Sequence, residues 1–212
     1  MTASSELFVK VCGITRLEDA ELASSLGASA LGFIFWPGSP RYIAPEAVRA
    51  IVQAKPARVK AVGVFVNAAL DQVRRMADIA SLDLVQLHGN ESAEYCREIA
   101  SGKTGRPVIK SIAMGPGTAV DVSGFADEIT LLLDAHDPAR HGGTGRTIDW
   151  DAARRIAASR RTILSGGLKP ENVRDAVAKV RPYGVDVSSG VESAPGVKDA
   201  GRLQHFFEAL NG

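Results

Sequence analysis

The sequence predicts an α/β fold, a single (β/α)8 barrel of the TIM type that spans residues 1–212 as one domain. Two observations predict it. Short β-rich runs alternate with longer helical runs from end to end, and there are eight of each with no low-complexity linker between them. A chain of 212 residues with 45% hydrophobic residues is long enough to bury a substantial core in one domain.

The strands and helices follow one another in a regular order. Apolar runs predict strands at 7–12, 30–35, 59–66, 83–88, 107–112, 129–134, 162–165 and 184–188. Between them, helices are predicted at 17–26, 45–54, 69–79, 91–101, 117–123, 149–159, 170–180 and 198–210. Pro45 and Pro170 fall where the first turn of a helix tolerates proline. The helix at 117–123 is the least regular, because glycines crowd it.

An open doubly wound sheet is the competing architecture. Such a sheet would have a glycine-rich turn after its first strand and an acidic residue at the end of the next strand. Here the first strand ends in Cys12-Gly13-Ile14-Thr15, which contains no glycine cluster. The closed barrel is therefore favoured. The choice bears on function because the active sites of such barrels lie at the C-terminal ends of the strands.

Composition excludes several classes of protein. The formal net charge is +1 and the basic residues are scattered, which predicts no binding of nucleic acid or of an anionic membrane. The longest obvious apolar run, residues 30–36, is too short to cross a bilayer. Residues 1–6 are too short and polar for a secretory signal. Two cysteines, Cys12 and Cys96, make no disulfide framework, so a reduced, cytoplasmic setting is expected.

A thiol and a carboxylate each end a predicted strand. Cys12 ends the first strand, with Lys10 on the same face, and Asp134 ends the sixth. A lone cysteine is usually buried and inert, and an aspartate after a strand is often a turn former. In a barrel, however, both side chains would open into one mouth, which favours an acid–base pair. Lys10 is a candidate to lower the pKa of Cys12, unless it pairs with Asp186 on the neighbouring eighth strand.

Glycine-containing turns follow the seventh and eighth strands. They are Ser165-Gly166-Gly167 and Ser188-Ser189-Gly190, and the second leads into a candidate short helix. Phosphate binding between these two loops recurs in this fold, because backbone N–H groups can approach an anion there. Plain tight turns would explain one such site but not a matched pair. The loop 135–148, with its own glycine cluster at 142–145, is a candidate lid.

The second strand suggests an aromatic ligand. It ends in Phe35 and Trp36, and the loop beyond carries Arg41, whose guanidinium suits a carboxylate. The alternative is that the rings are core and the arginine is solvated. His88 shares a face with Gln86 at the end of the fourth strand, but no further ligands are evident on the neighbouring second and third strand ends. No metal site is therefore expected.

Eight segments together resemble the phosphoribosylanthranilate isomerase family, and they cover nearly the whole chain. They are VKVCGIT at 9–15, GFIF at 32–35, SPRYI at 39–43, VGVFVN at 62–67, VQLHG at 85–89, LLD at 132–134, LSGGL at 164–168 and GVDVSSGVE at 184–192. The resemblance implies an Amadori rearrangement in tryptophan biosynthesis, without a cofactor. By the same resemblance Cys12 is the general base, Asp134 the general acid and Arg41 the ligand of the anthranilate carboxylate. Gly166, Gly167, Ser189 and Gly190 fall in its phosphate-binding turns.

The expected partner is therefore a small molecule, phosphoribosylanthranilate. A homodimer is also considered, with the oligomeric state left open. Two alternatives remain from the residues alone: another sugar-phosphate barrel enzyme, and a barrel that binds phosphorylated metabolites without turning them over. Intact Cys12 and Asp134 favour an enzyme over the second alternative.

Overall fold

A closed parallel barrel forms the centre of the protein. The structure is a computed structural model that describes residues 7–101, 105–115, 120–135 and 148–212. In that part of the chain, eight parallel strands pair in chain order and the eighth closes onto the first. The strands are β1 (Phe8–Cys12), β2 (Ala30–Ile34), β3 (Lys60–Phe65), β4 (Leu84–Leu87), β5 (Val108–Met114), β6 (Thr130–Ala135), β7 (Thr162–Leu164) and β8 (Gly184–Val187). The predicted barrel is confirmed.

Helices connect most of these strands. They are α1 (Leu17–Ser25), α2 (Pro45–Ala54), α3 (Leu70–Ile79), α4 (Ala93–Ala100), α5 (Trp150–Ala157), α6 (Val173–Val180) and α7 (Ala200–Asn211). After β8 the chain makes a short 3₁₀ turn, Ser189–Val191, and then an antiparallel hairpin of β9 (Glu192–Ala194) and β10 (Val197–Lys198). The sequence suggested the short turn but not the hairpin, which occupies the first residue predicted for the last helix.

The core has two parts because each strand is covered on both faces. A cluster inside the barrel consists of Ala30, Val62, Ile109, Leu132 and Ile163. Residues one step along the strands point outward and join the larger cluster under the helices, as Leu31, Leu131 and Leu133 do. Cys96 belongs to this outer layer, where its side chain is fully buried.

Local hydrogen bonds shift some helix starts from their predicted positions. The Ser92 hydroxyl accepts from the backbone N–H of Tyr95 at 3.1 Å, so α4 begins at Ala93. Pro170 was expected in a first helical turn, but it lies in a turn that precedes α6. There the side-chain oxygen of Asn172 accepts from the backbone N–H of Lys169 at 2.9 Å.

The helix predicted at 117–123 is the main error in the fold. Residues 117–119 lie outside the described part, and residues 120–123 are not helical. The Asp121 carboxylate accepts from the backbone N–H of Ser123 at 2.9 Å, which holds the chain in a turn rather than a helix. Most of the candidate lid at 135–148, namely residues 136–147 with the glycine cluster, also falls outside the described residues.

Candidate active site

The C-terminal ends of the strands surround a cavity of about 410 Å³. Cys12 from β1 and Asp134 from β6 both line it, and each residue is 6% exposed. The remaining sequence-predicted residues line the same cavity: Arg41, Gly166, Gly167, Ser189 and Gly190. The structure thus brings together around one cavity all seven residues that were predicted to be catalytic or substrate-binding.

Cys12 lies above a buried ion pair. The register of the barrel sets Lys10 opposite Asp186, and the Lys10 Nζ is 2.8 Å from the Asp186 Oδ1. Ser165 donates to the other oxygen of that carboxylate at 3.3 Å. On β2, Gly32 leaves room for the thiol, because a Cβ there would lie 2.8 Å from the Cys12 Sγ. Lys10 pairs with Asp186, as one of the two considered roles requires, and it also interacts with the Cys12 side chain.

This arrangement makes the thiol harder to ionise. Burial raises the pKa of Cys12 above its ordinary value, Lys10 attracts the thiolate and opposes that rise, and Asp186 repels the thiolate and adds to it. Lys10 thus acts on the pKa of Cys12 in the direction that the sequence suggested, but burial outweighs it, and the pKa of the thiol stays above its ordinary value. Burial also acts against the charge of Lys10, but attraction by Asp186 and Cys12 outweighs it and raises the pKa of the ammonium.

Asp134 is held by its own backbone and by a histidine. The N–H of Ala135 donates to the Asp134 Oδ1 at 2.9 Å, and the His88 Nε2 lies 3.2 Å from Oδ2. Behind it, the Gln86 amide nitrogen is 2.9 Å from the His88 Nδ1. With that amide donating to Nδ1, the ring proton lies on Nε2 and points to the carboxylate. Sequence reasoning considered His88 only as a metal ligand; its position at a strand end was the available signal.

Arg41 reaches across the mouth of the barrel from the loop after β2. The loop is fixed by a bond of 3.1 Å from the Ile43 N–H to the Ile34 carbonyl. The arginine stem passes over Gly13, where a Cβ would lie 2.6 Å from its Cδ, so a glycine is needed there. The guanidinium then meets the buried carboxylate of Glu192 on β9, at 2.9 Å from Nε and 2.6 Å from Nη2. Glu192 was not predicted from the sequence.

The two glycine-containing turns pack tightly against each other. Gly166 and Gly167 adopt φ angles of 82° and 65°, which a residue with a side chain adopts only with strain. Gly190, in the turn after β8, lies directly against the Leu168 carbonyl, because a Cβ at Gly190 would come within 1.9 Å of that oxygen. Residues of both turns line the cavity: Gly166, Gly167, Ser189 and Gly190.

Within residues 7–101, 105–115, 120–135 and 148–212, no group of three His, Cys, Asp or Glu residues could hold a metal ion. The loop histidines at 136 and 141 are not among these residues. No helix in the same part of the chain is long and apolar enough to cross a membrane.

A barrel with a thiol, a carboxylate and an arginine around one cavity, beside two glycine-containing turns after β7 and β8, is typical of enzymes that act on phosphorylated small molecules. Comparison with known proteins narrows the class. Residues 9–209 match the family model described as N-(5'-phosphoribosyl)anthranilate (PRA) isomerase. The chain belongs to this family, as the resemblance in its sequence predicted.

Individual relatives agree over almost the whole chain. An N-(5'-phosphoribosyl)anthranilate isomerase from Citrifermentans bemidjiense is 50% identical over 198 residues, which is 93% of this chain and 94% of the relative. The crystal structure of phosphoribosyl anthranilate isomerase from Thermus thermophilus superposes with a TM-score of 0.87 at 44% identity, covering 97% of this chain and 98% of that one. A further isomerase structure, in complex with reduced 1-(o-carboxyphenylamino)-1-deoxyribulose 5-phosphate, has a TM-score of 0.83 at 39% identity, covering 98% and 100%.

Proposed function

We propose that this protein isomerises N-(5-phosphoribosyl)anthranilate to 1-(2-carboxyphenylamino)-1-deoxyribulose 5-phosphate, an Amadori rearrangement in tryptophan biosynthesis. The observation that carries the proposal is the single cavity that collects Cys12, Asp134, Arg41 and two glycine-containing turns, in a chain of this isomerase family. The cavity volume of about 410 Å³ is within the usual range for a site that takes a small molecule.

The substrate carries an anion at each end, and the cavity has a matching group for each. We assign its phosphate to the turns of Gly166, Gly167, Ser189 and Gly190, because backbone N–H groups in such glycine-containing turns suit an anion. We assign its carboxylate to Arg41. The half-buried side chain of Trp36 lines the same cavity and supplies an apolar wall for the aromatic ring of the substrate. Held at both ends, the ribose would span the space between Cys12 and Asp134.

Asp134 acts as the general acid in this proposal. Its carboxylic acid donates a proton to the furanose ring oxygen, and the bond between that oxygen and C1′ breaks as the nitrogen lone pair forms a C1′=N⁺ Schiff base. The hydrogen bonds from Ala135 and His88 fix the direction of the carboxyl group. That makes both of them orienting groups for the proton transfer.

Cys12 acts as the general base. Its thiolate removes the proton from C2′, the C2′–H electron pair moves to form C1′=C2′, and the Schiff base becomes a neutral enolamine. Transfer of the O2′ proton to the Asp134 carboxylate and protonation of C1′ by the Cys12 thiol then give the ketone and restore both side chains, so the atoms balance as an isomerisation. Each proton transfer by a positioned side chain contributes roughly 10²–10⁴-fold to the rate.

The test is the loss of phosphoribosylanthranilate fluorescence with the wild-type protein, Cys12→Ala and Cys96→Ala, without added metal. Cys96→Ala is the matched control, because Cys96 is a buried thiol on α4 away from the cavity. We expect rapid loss with the wild type and the control, and a rate lower by about 10²–10⁴-fold for Cys12→Ala. Turnover that survives in Cys12→Ala would move the base elsewhere. No turnover by the folded wild type would contradict the proposal.

The setting of the reaction is also part of the proposal. Cys12 and Cys96 are both free and buried, which fits a reducing cytoplasm. A homodimer stays a prediction, and light scattering on the purified protein measures it directly.

A further inference from the structure

A buried cluster of three charges lies at the edge of the cavity, apart from Cys12 and Asp134. It consists of Arg41, Glu192 and Lys198, with side chains that are 13%, 4% and 0% exposed. Of these three residues, Arg41 is the one that lines the cavity in the described part of the chain. Glu192 and Lys198 therefore stand behind the arginine.

Glu192 is fixed from two sides. Its Oε1 accepts from the Lys198 Nζ at 2.8 Å, while Nε and Nη2 of Arg41 lie 2.9 and 2.6 Å from Oε1 and Oε2. Lys198 is itself tied to the barrel, because its ammonium also donates to the backbone carbonyls of Cys12 and Ser188. The carboxylate is thus anchored to the ends of β1 and β8, and a bidentate fork of this kind fixes the plane of the guanidinium.

The N–H donors of Arg41 that Glu192 does not use determine whether the arginine can bind a substrate carboxylate at the same time. A guanidinium has five N–H groups, and Glu192 takes the Nε–H and one on Nη2. Three are left, including the end-on pair on Nη1 and Nη2, which can bind a second carboxylate bidentately. A substrate carboxylate need not displace Glu192. The cluster also has one net positive charge, which one carboxylate neutralises.

Both partners are strongly held in their charged forms. Burial raises the pKa of Glu192, but the hydrogen bond from Arg41 and the charge of Lys198 outweigh it and hold the pKa below its ordinary value. The hydrogen bond to Glu192 raises the pKa of Arg41. Removing the carboxylate would leave two cations facing each other in a buried site, which is costly.

We propose that Glu192 is a positioning residue that selects carboxylate-bearing substrates by fixing the guanidinium of Arg41 in the cavity wall. The inference rests on the proposed function and deepens it. Glu192 touches no substrate atom in this account; it acts through Arg41.

The experiment compares two substrates: phosphoribosylanthranilate, and the analogue made from ribose 5-phosphate and aniline, which lacks the carboxylate. Wild type, Glu192→Gln and Glu192→Asp are assayed on both by chromatography of the ketone product. Glu208→Gln is the matched control, since Glu208 is exposed on α7. In Glu192→Gln an amide N–H₂ would face the donors of Arg41, so we expect a KM for phosphoribosylanthranilate about 10–100-fold higher with kcat preserved. The kcat/KM for the aniline analogue should stay unchanged.

Glu192→Asp keeps the negative charge for Lys198 but has a shorter reach to Arg41. It carries the test if Glu192→Gln fails to fold, and we expect it to show an intermediate KM. In an Arg41→Ala background, either change at 192 should have no further effect on KM.

Several results would overturn the inference. The first is an equal loss of kcat/KM on both substrates in the Glu192 variants. The second is a lower KM for phosphoribosylanthranilate, which would mean that Glu192 competes with the substrate. The third is an effect of the Glu192 variants on KM that adds fully to that of Arg41→Ala. Absence of turnover by the wild type is a different failure, because it removes the proposed function and this inference with it.

Discussion

Replacing Gly190 by alanine tests whether the two glycine-containing turns form one phosphate site. A Cβ at this position would lie 1.9 Å from the Leu168 carbonyl oxygen, and 3.0 and 3.1 Å from the Leu168 carbonyl carbon and the Lys169 Cβ. Ordinary contact begins at 3.4 Å, so the turns must separate by about 1.5 Å. The nearest obstacles are backbone atoms, which no side-chain rotation can relieve.

The separation sets the size of the expected effect. Overpacking of this kind costs roughly 1–3 kcal/mol of stability. The larger effect should be on phosphate binding, because charge-assisted hydrogen bonds from backbone N–H groups require donor distances near 2.9 Å. We expect Gly190→Ala to raise KM for phosphoribosylanthranilate, and the inhibition constant of inorganic phosphate, by about 10-fold or more. Acid–base chemistry at Cys12 and Asp134 should be less affected.

Steady-state kinetics and inhibition by inorganic phosphate provide the assay, with thermal unfolding as a check on folding. Gly201→Ala is the matched control: its Cβ would meet only the Asp199 Oδ1, at 3.5 Å, and alanine favours the helix α7. Wild-type KM and phosphate inhibition in a folded Gly190→Ala protein would refute the assignment of phosphate to these turns.

Three further predictions concern the acid–base pair. Asp134→Asn should lower kcat by about 10²–10⁴-fold with little change in KM, because an amide has no acidic proton for the ring oxygen; a normal kcat would exclude Asp134 as the acid. Asp186→Asn should speed alkylation of Cys12 by iodoacetamide at pH 8, followed by peptide mass spectrometry, because the Asp186 charge raises the pKa of the thiol; an unchanged or slower reaction would refute that cause. The kcat/KM of the wild type should fall on the alkaline side only above pH 8.5, which is about the ordinary pKa of a thiol. The reason is that the proposed reaction needs one proton on the pair of Cys12 and Asp134, and the raised pKa of Cys12 keeps that proton bound up to higher pH. A fall that begins near neutrality would contradict this reasoning.

Most of the barrel was predictable because its determinants are local. Apolar runs mark the strands, and the carboxyl end of each strand is readable from where the run stops. Once eight parallel strands are accepted, Cys12 and Asp134 must share one mouth although 122 positions separate them in the printed sequence. The loops after β7 and β8 followed from the same geometry.

What escaped prediction depends on contacts between distant residues. Glu192 and Lys198 lie in a polar stretch with Pro195 and Gly196, where the sequence predicted only that a helix starts at residue 198. Their pairing requires a hairpin, and the role of Glu192 requires Arg41 to cross over Gly13 from 151 residues away in sequence. The failed helix at 120–123 has the opposite cause, a local Asp121 turn that overrides a weak helical pattern.

The raised pKa of Cys12 is compatible with the proposed role of the thiolate as a base once Cys12 and Asp134 are considered together. The proposed reaction needs a thiolate at Cys12 and a carboxylic acid at Asp134, and this arrangement holds one proton, the same number as a thiol and a carboxylate. The two arrangements differ only in where that proton lies, so their ratio is independent of pH. Ring opening moves the proton from Asp134 to the sugar, and abstraction of the C2′ proton leaves Cys12 as a thiol. The first half-reaction therefore ends with Cys12 as a thiol, the form that burial and Asp186 favour. The Schiff-base cation formed between the two steps attracts a thiolate where the resting site disfavours one, which supplies the driving force at the step that needs it.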